Sequence, residues 1–578
     1  MRHLTGNDVH LQWGMRIKLR DGVHLNATLY RPPNQCAPAP AIFTLTPYIG
    51  QTYHDFGMYF AARGYPFLTV DVRGRGDSEG TFWPFLNEAQ DGYDVVEWLA
   101  REPYCDGRVA MWGGSYAGYN QWVTAKEFPP HLATIVPVAA PYLGCDYPRR
   151  NNIGSPYVMQ WLTLVRGHAS QEKIFGEQSF WRQRFGRWFE SGAAFKGLDQ
   201  FLGEPSPIFQ KWLAHPRHDE YWDRHNPAPE QYARLSIPIL TITGIYDGDQ
   251  PGALMYYREY MRNASAAGRA RHYLVIGPWD HAGTRTPKRE FAAMQFGPES
   301  LVDLPQLHAQ WYEWTMQGGR RPAFLRKNVA YYVTGAETWR YADTLDDITA
   351  ETRPFYLDSR GGASRVFASG VLCAEPGTGH EDSYVYDPCD TRIAALEAAS
   401  TDPLCMRPTF PTDNLKDQAP VLAQEGRQLV YHSGPLDRDV EISGFFRLSV
   451  WLAIDQPDTD FRACVFEIGL DGSSVLLSAD CMRARYRESF RTEALVRTRD
   501  PLRYDFERFT FTSRRVQAGS RLRLVIGPND SIYSERNFNG GGVVAEESLA
   551  DARVVMVKLF HNPAYPSALY VPFAHMEP

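Results

Sequence analysis

The sequence predicts an α/β domain with a helical insertion, followed by an all-β domain. Apolar strand patterns alternate with helical patterns through residue 140 and resume at residue 237, as in a parallel sheet. From about residue 146 to residue 234, helical and aromatic-rich segments replace the strand patterns. Beyond about residue 325, half-buried strand patterns alternate with Gly, Pro and Asp turns. A chain of 578 residues is long enough for two or three such domains.

The first predicted elements are a hairpin and a buried strand. Residues 15–30 surround Asp21-Gly22, a residue pair typical of tight hairpin turns. Residues 41–47 form the strand, and Tyr48 follows it directly. On the residues alone, Tyr48 is interpreted as a half-buried aromatic at a strand end.

A serine among glycines follows the next strand. Residues 109–112 form a strand pattern that runs into GGSYAG (113–118), and a helix is predicted over residues 119–128. A strand that turns directly into a helix strains its turn residue and requires small neighbours. It also places the Ser115 hydroxyl at a helix N-terminus, where developing negative charge is favoured. Because Ala117 replaces the second glycine of G-x-S-x-G, the motif alone leaves an ordinary turn open.

Two later strand patterns end in the residues that an activated serine needs. Residues 237–244 lead into Asp247, and residues 273–278 lead into His281. In open parallel sheets, ligands bind beyond the carboxyl ends of the strands, so Ser115, Asp247 and His281 should lie together. Their order along the chain, serine then acid then histidine, is that of a catalytic triad.

Each partner also has an ordinary interpretation. A single histidine after a strand is usually a loop residue, and an aspartate in a glycine-containing loop usually forms a turn. Asp249 and Asp280 compete with Asp247 for the role of orienting the histidine, and either could instead cap a helix. The three residues together, each at a strand end, favour the triad.

The domain boundaries follow from the changes in pattern. Residues 146–234 lie between the serine and the Asp247 strand, so they are expected to cap the site. Their aromatic residues are interpreted as cap core more than as substrate contacts. A helix over residues 305–316 ends the α/β domain. The predicted domains are residues 1–145 with 235–322, residues 146–234, and residues 323–578.

The chain resembles the cocaine-esterase and X-Pro dipeptidyl-peptidase family of serine hydrolases, close to the α-amino-acid ester hydrolases. The departure at Ala117 is also this group's pattern. The resemblance implies an α/β-hydrolase core, a helical cap and a C-terminal jelly-roll sandwich of the galactose-binding type. The matching stretches are Thr46–Tyr48, Asp71–Gly80, Trp98–Gly118, Gly244–Asp247, Gly277–His281, Asp455–Asp460 and Met482–Tyr486.

The resemblance also implies an oxyanion hole and a substrate clue. In this group a tyrosine hydroxyl, here Tyr48, works with the backbone N–H after the nucleophile, here that of Tyr116. The α-amino-acid ester hydrolases carry an acidic residue where this chain has Asp249, in a cluster that holds the substrate's amino group. Because the next residue, Gln250, is not an acid, the cluster is incomplete, and Asp249 could equally hydrogen-bond loop backbone.

The expected function is hydrolysis of a carboxylic ester or amide through an acyl-enzyme on Ser115, with an α-amino-acyl substrate as one option. One alternative is an X-Pro dipeptidyl-peptidase, although the chain is short for that branch. A second is a non-catalytic protein that binds ligands through its β-sandwich. A small-molecule ester or amide is the expected partner, no cofactor or metal is expected, and a homo-oligomer is left open.

Bulk properties narrow the class of protein. A net charge of −7, with 22% charged residues, argues against nucleic acid as a partner. No run approaches 18 apolar residues, which argues against a membrane span. Residues 1–8 lack the apolar segment of an export signal, and the eight cysteines show no disulfide spacing. A cytoplasmic location is therefore expected.

Overall fold

The structure is a computed structural model that describes residues 9–377, 379, 381–399, 416 and 418–575. The predictions made for residues 1–8 and for Cys405 lie outside these residues. The other seven cysteines are described, and all of them are free. Within the described ranges, no helix is both long enough and apolar enough to cross a bilayer.

The first sheet has ten strands in the order β1-β2-β4-β3-β5-β6-β7-β8-β9-β10. Strands β3 to β9 run parallel to their neighbours within this group, whereas β1, β2 and β10 pair antiparallel. The strands are β1 (His10–Lys18), β2 (His24–Arg31), β3 (Ala39–Thr46), β4 (Phe67–Asp71), β5 (Cys105–Gly114), β6 (Leu132–Val138), β7 (Ile239–Tyr246), β8 (His272–Asp280), β9 (Val329–Val333) and β10 (Thr338–Ala342).

The predicted hairpin about Asp21-Gly22 is confirmed. Strands β1 and β2 pair antiparallel, with Lys18 opposite His24. Gly22 has φ 90°, a left-handed conformation that glycine adopts without a steric cost.

Helices pack on the first sheet and form the insertion between β6 and β7, and the last two of those described lie in the C-terminal region. They are α1 (His54–Ala61), α2 (Glu88–Leu99), α3 (Tyr116–Ala125), α4 (Tyr157–Leu164), α5 (Glu172–Gly176), α6 (Gln178–Ser191), α7 (Leu198–Phe201), α8 (Pro207–Leu213), α9 (Glu220–Asp223), α10 (Pro229–Arg234), α11 (Gln250–Asn263), α12 (Ala266–Arg269), α13 (Leu304–Gln317), α14 (Arg392–Ala399) and α15 (Ala419–Leu422). Helices α4 to α10 make up the region that the sequence predicts as helical, and a two-residue ribbon at Arg149–Arg150 and Ile153–Gly154 precedes them.

Helix α3 differs from its prediction at both ends. It begins at Tyr116, three residues before the predicted start, because the turn at Ser115 leads directly into helical backbone. It ends at Ala125, before the predicted end at Phe128. Phe128 has φ 57° and precedes Pro129, and a residue before proline disfavours helical backbone.

Over the residues described, the C-terminal region is built mainly of β-strands, as predicted, and thirteen of them form one connected sheet system. They are β11 (Glu351–Asp358), β12 (Gly370–Cys373), β13 (Glu381–Tyr386), β14 (Leu429–Ser433), β15 (Val440–Gly444), β16 (Arg447–Ile454), β17 (Asp460–Ile468), β18 (Ser474–Arg483), β19 (Leu502–Phe506), β20 (Thr512–Val516), β21 (Arg521–Pro528), β22 (Val555–Phe560) and β23 (Ala568–Phe573). The main path is β13-β22-β16-β23-β11-β12-β14-β21-β17-β18, with β15, β19 and β20 attached beside it.

Strands β9 and β10 depart from the predicted boundary at residue 323. The sequence analysis assigns them to the β-sandwich, whereas the structure adds both to the first sheet, β9 pairing parallel with β8. The Val-Ala-Tyr-Tyr-Val pattern of β9 predicts a strand but cannot specify its neighbour. One cluster of buried side chains, including Leu274, Val329 and Val450, continues from this sheet into the all-β region. The two regions therefore share a core.

Candidate active site

Ser115 occupies the sharp turn between β5 and α3. Its backbone has φ 61° and ψ −123°, which costs a non-glycine residue about 1–3 kcal/mol. The neighbouring glycines are required by space. A Cβ on Gly113 would lie 2.6 Å from the Ala117 Cβ, and one on Gly118 would lie 2.7 Å from the Val138 carbonyl oxygen. The turn therefore tolerates alanine at 117 but not at 118, which explains the departure from G-x-S-x-G.

Asp247 and His281 form a hydrogen-bonded pair at the ends of β7 and β8. The His281 Nδ1 and the Asp247 Oδ1 are 2.8 Å apart. Asp247 is fully buried and also accepts hydrogen bonds from the Thr243 hydroxyl at 2.9 Å and the Asp249 N–H at 3.0 Å. These donors fix the carboxylate and favour its charged form. An imidazole held in this way keeps its other ring nitrogen, Nε2, in a defined direction.

The competing acids have other positions. Asp280 accepts the Gly283 N–H at 2.7 Å and so forms a turn. The Asp249 Oδ2 lies 3.6 Å from the His281 Nδ1, farther away than Asp247. Asp247, Asp249 and His281 are also the one group with metal-ligand spacing found among the described residues. The hydrogen bond to Asp247 already engages the His281 Nδ1.

The Ser115 hydroxyl faces Tyr48. The two side-chain oxygens are 3.5 Å apart. Among the described residues, no hydrogen bond joins Ser115 to His281. Catalytic groups often come within hydrogen-bond distance of each other only when substrate binds. Asp249 lies near both residues: its Oδ2 is 3.6 Å from the His281 Nδ1, and it lines the same pocket as Ser115.

Trp161 of the cap orients the Tyr48 hydroxyl. Its indole Nε1 donates a hydrogen bond to the Tyr48 oxygen at 3.1 Å. With that lone pair occupied, the Tyr48 O–H is free to donate toward Ser115. Burial raises the pKa of Tyr48, so the hydroxyl keeps its proton. The sequence analysis does not single out Trp161, since nothing in the helix pattern of α4 distinguishes it from a core residue.

Tyr116 contributes the first N–H of α3, which has no acceptor within the helix. Its side chain points into the core, where the hydroxyl donates to Glu88 and accepts from the Phe85 N–H at 2.7 Å. Burial raises the pKa of Glu88 to about 7. By accepting the Tyr116 hydroxyl, Glu88 helps to hold the first residue of α3 in place. The sequence analysis does not identify Glu88, because the pattern of α2 is that of an ordinary amphipathic helix.

A pocket lies directly above Ser115. Aromatic rings form most of its wall, and Asp249 supplies a carboxylate. The lining residues are Tyr48, Phe85, Ser115, Tyr116, Pro141, Tyr147, Tyr157, Trp161 and Asp249. Tyr147, Tyr157 and Trp161 come from the insertion, so part of its aromatic content faces the pocket. Most of its other aromatic residues are core, as expected: Trp181, Phe185, Trp188, Phe189, Phe195, Phe209, Trp212 and Trp222.

A second carboxyl group, that of Asp146, interacts electrostatically with Asp249. Asp146 accepts the Tyr142 N–H at 2.8 Å and the Gly252 N–H at 2.7 Å. Burial, and then the negative charge of Asp249, raises the pKa of Asp146 well above its usual range. About one hundred residues separate the two acids in the sequence, so only the fold reveals that they are neighbours.

Gln250 has a structural role instead of the acidic one seen in a complete cluster. It is fully buried, and its amide bonds reciprocally to the backbone of the all-β region. The Gln250 Oε1 accepts the Phe511 N–H at 2.7 Å, and the Nε2 donates to the Phe511 carbonyl at 3.1 Å. The loop that carries Asp247 and Asp249 is therefore fastened to the C-terminal region.

Comparisons with known proteins agree with this architecture. The family model of the X-Pro dipeptidyl-peptidase (S15 family) matches residues 21–283, and that of the X-Pro dipeptidyl-peptidase C-terminal non-catalytic domain matches residues 323–567. Cocaine esterase of Rhodococcus sp. (strain MB1 Bresler) is 26% identical over 587 residues, covering 96% of this chain and 97% of that protein.

Two solved structures show the same fold over the whole chain. An α-amino acid ester hydrolase superposes with a TM-score of 0.82 at 20% identity, covering 98% of this chain and 97% of that one. An aminopeptidase from a marine sediment Thaumarchaeota archaeon superposes with a TM-score of 0.79 at 20% identity, covering 100% and 98%. The chain belongs to the cocaine-esterase and X-Pro dipeptidyl-peptidase (S15) family of hydrolases.

Proposed function

We propose that this protein is a serine hydrolase that cleaves carboxylic esters through an acyl-enzyme on Ser115. The proposal rests on the Asp247–His281 hydrogen bond of 2.8 Å and on a serine in a strained strand-to-helix turn, whose pocket is also lined by Asp249, 3.6 Å from His281. A turn of this kind is maintained where strain serves function. The absence of disulfides among the seven described cysteines supports a reducing compartment such as the cytoplasm.

The reaction follows from the roles of these groups. His281 removes the Ser115 proton as the hydroxyl oxygen attacks the acyl carbon, and Asp247 stabilises the imidazolium that results. The Tyr48 hydroxyl and the Tyr116 N–H stabilise the oxyanion of the tetrahedral intermediate. The C–O bond to the leaving alcohol breaks as His281 returns the proton to that oxygen. Water, activated by His281, then hydrolyses the acyl-enzyme.

We propose further that the acyl group carries an α-ammonium and an apolar side chain. The Asp249 carboxylate lines the pocket and can pair with a cation there. A cation desolvated next to carboxylates forms strong charge-assisted hydrogen bonds. The aromatic rings around Ser115 suit an apolar or aromatic side chain. Similarity to the α-amino acid ester hydrolase supports the same substrate class.

Fluorophosphonate labelling tests the nucleophile without a choice of substrate. We expect one adduct per chain, located on Ser115 by mass spectrometry and absent from Ser115→Ala. His281→Ala keeps the hydroxyl but removes its base, so labelling should slow by at least about 10³-fold. Folding of both variants is checked by circular dichroism. An adduct on another serine, or none on the folded wild type, would contradict the proposal.

A panel of esters then separates the substrate classes. Amino-acid aryl esters, their N-acetylated forms and an X-Pro anilide are compared by kcat/KM. We expect free amino-acyl esters to be hydrolysed fastest. Preference for the X-Pro anilide would instead make the protein a dipeptidyl-peptidase, with the same nucleophile.

A further inference from the structure

The segment Asp71–Gly80, which begins at the end of β4, has no role in the mechanism described so far. It is one of the stretches on which the family resemblance rests. Strand β4 lies beside β3, which leads into Tyr48. Asp71 and Arg75 are almost fully buried, with exposed fractions of 4% and 0%. Buried charged groups are normally hydrogen-bonded, so their partners indicate what they hold in place.

The turn that carries Tyr48 is strained. Ile49, the next residue, has φ 68° and ψ 128°, a backbone conformation that β-branched residues rarely adopt. Such strain persists only where the surrounding structure fixes the backbone, and it is found mainly at functional sites. Because the Tyr48 hydroxyl faces Ser115, the strained residue lies beside the proposed oxyanion hole.

Asp71 and Arg75 hold this turn from both sides. The Arg75 Nε donates to the Pro47 carbonyl at 2.8 Å. The Gly50 N–H donates to the Asp71 Oδ1 at 2.7 Å. The backbone is therefore fixed directly before Tyr48 and two residues after it.

Arg75 also connects the turn to the helical insertion. Its Nη1 donates to the Gly167 carbonyl, in the segment that follows α4. Helix α4 carries Trp161, whose indole donates to the Tyr48 hydroxyl. The insertion thus contacts Tyr48 directly at the hydroxyl, and through Arg75 it holds the peptide group that precedes Tyr48.

The hydrogen bonds of Arg75 differ from those of Arg73, two residues earlier. Arg73 forms ion pairs with Asp21 and Asp91, at 2.9 and 2.6 Å, and makes no contact with the Tyr48 turn through them. Over the residues that the structure describes, Arg75 has no carboxylate within ion-pair distance and donates to backbone carbonyls instead. Burial lowers the pKa of Arg75 to about 10, so the guanidinium is still charged at neutral pH. Charged donors form stronger hydrogen bonds than neutral ones.

We propose that Asp71 and Arg75 are positioning residues that hold the Tyr48 hydroxyl where the oxyanion forms, a role that rests on the proposed function. Both act on the backbone around Tyr48 and not on the reacting atoms. A displaced hydroxyl stabilises the oxyanion less, because this stabilisation depends on pre-organised geometry. The contribution of Arg75 to hydrolysis should therefore be present only when Tyr48 has its hydroxyl.

A double-mutant cycle tests this role, with kcat and KM measured on the p-nitrophenyl ester of phenylalanine. Arg75→Met removes both donors, and we expect kcat to fall by at least about tenfold while KM changes by less than about twofold. In a Tyr48→Phe background the same substitution should change kcat by less than about twofold, because the group that Arg75 positions is absent. An equal loss in both backgrounds would overturn the proposal, since Arg75 would then act independently of Tyr48.

Arg73→Met is the matched control, because it removes an arginine of the same loop. It should lower stability in urea unfolding and leave kcat unchanged. A loss of kcat as large as that in Arg75→Met would show that any disturbance of this loop slows hydrolysis, and the positioning role would be wrong.

Asp71→Asn serves if Arg75→Met does not fold. It makes the acceptor of the Gly50 N–H neutral, so kcat should fall by at least about threefold in the presence of the Tyr48 hydroxyl and stay constant in Tyr48→Phe. A loss of the same size in both backgrounds would again contradict the positioning role.

Three results separate this role from the proposed function. No fluorophosphonate adduct on Ser115 would refute the hydrolase itself. An unchanged kcat in Tyr48→Phe would refute the oxyanion role of Tyr48 and the positioning role with it. A normal adduct and a slow Tyr48→Phe variant, together with an Arg75→Met variant that has the wild-type kcat, would refute the positioning role alone.

Discussion

Two buried clusters in this protein each contain three carboxylates, but they differ in the positive charge provided for them. The first joins the insertion to the all-β region and consists of Asp458, Asp460, Glu535, Arg483 and Arg485. The second lies at the end of the first sheet and consists of Asp146, Asp247, Asp249 and His281.

In the first cluster every carboxylate is paired with a guanidinium, although there are three carboxylates and two guanidiniums. Arg483 binds Asp460 through two hydrogen bonds of 2.8 and 2.9 Å and also reaches Glu535, while Arg485 binds Asp458 at 2.8 Å. In the second, the His281 Nδ1 lies 2.8 Å from Asp247 and 3.6 Å from Asp249, and burial and the charge of Asp249 raise the pKa of Asp146. A carboxylate held by a guanidinium has little charge left for a ligand, whereas a carboxylate beside an imidazole at the wall of a pocket can attract a cation. The comparison teaches that burial of charge alone does not indicate a site; the kind of partner and the access to a pocket matter as well.

Removing one guanidinium from the first cluster should leave carboxylates without an ion-pair partner and so lower the stability of the protein. Arg483→Met leaves Asp460 and Glu535 buried without their partner, so we expect a loss of about 3–5 kcal/mol, measured by urea unfolding. Arg503→Met is the control, because its ion pair with Asp505 is exposed and contributes about 0–1 kcal/mol. Equal stability of the two variants would show that the match of charges contributes little.

In the proposed mechanism, the Tyr48 hydroxyl is the uncharged group that assists the second cluster. Tyr48→Phe keeps the ring and removes the hydroxyl that faces Ser115. We expect kcat to fall by about 10²–10³ with KM nearly unchanged, since the hydroxyl stabilises only the oxyanion. Trp161→Phe, which removes only the donor to Tyr48, should have a smaller effect. A change confined to KM would assign Tyr48 to substrate binding.

Glu88 is a third example of a buried carboxyl group. It lies beneath the Ser115 turn, and burial raises its pKa to about 7. Such a group binds more protons when folded, so its contribution to stability is present at low pH and is lost as pH rises through about 7. Glu88→Gln cannot ionise. The variant should match the wild type near pH 5 and exceed it by up to about 3 kcal/mol at pH 8, in urea unfolding.

The exposed Glu230→Gln serves as the control for Glu88 and should show no such pH-dependent difference. A wild type as stable at pH 8 as the Glu88→Gln variant would show that Glu88 ionises at no cost. The hydrogen bond from Tyr116 would then compensate for its burial.

The smallest effect is expected from neutralising the Asp249 carboxylate. Asp249→Asn should lower the preference for a free amino-acyl ester over its N-acetylated form by about tenfold, because the carboxylate that pairs with the ammonium becomes a neutral amide. The ratio of the two kcat/KM values cancels any common effect on His281. Asp280→Asn, in a turn, should leave the ratio unchanged. An unchanged ratio in Asp249→Asn would remove the case for an amino-acyl substrate.

Sequence patterns predict the residues whose positions follow from local structure. Ser115, Asp247 and His281 each end a strand, so a parallel sheet places them at one edge without further information. Their catalytic roles stay predictions. The fold class and the helical nature of the insertion also follow from periodicity, which is local.

The remaining features depend on which elements meet. Asp146, Glu88 and Trp161 reach the site from a loop, from α2 and from α4, and no spacing relates them to Ser115. Strand β9 joins the first sheet because β8 offers it an edge, which the sequence of β9 does not encode.

The bond between Gln250 and Phe511 determines how this chain can recombine with its relatives. A crossover between residues 283 and 323 falls between the two family signatures and looks neutral. In such a chimera, however, residue 250 and residue 511 would come from different parent proteins. Because Gln250 contacts only backbone atoms of residue 511, any residue there except proline can complete the bond. A chimera therefore inherits a firmly held acid loop only if it keeps glutamine at 250 and the same backbone register at 511, whatever the similarity of the two parents elsewhere.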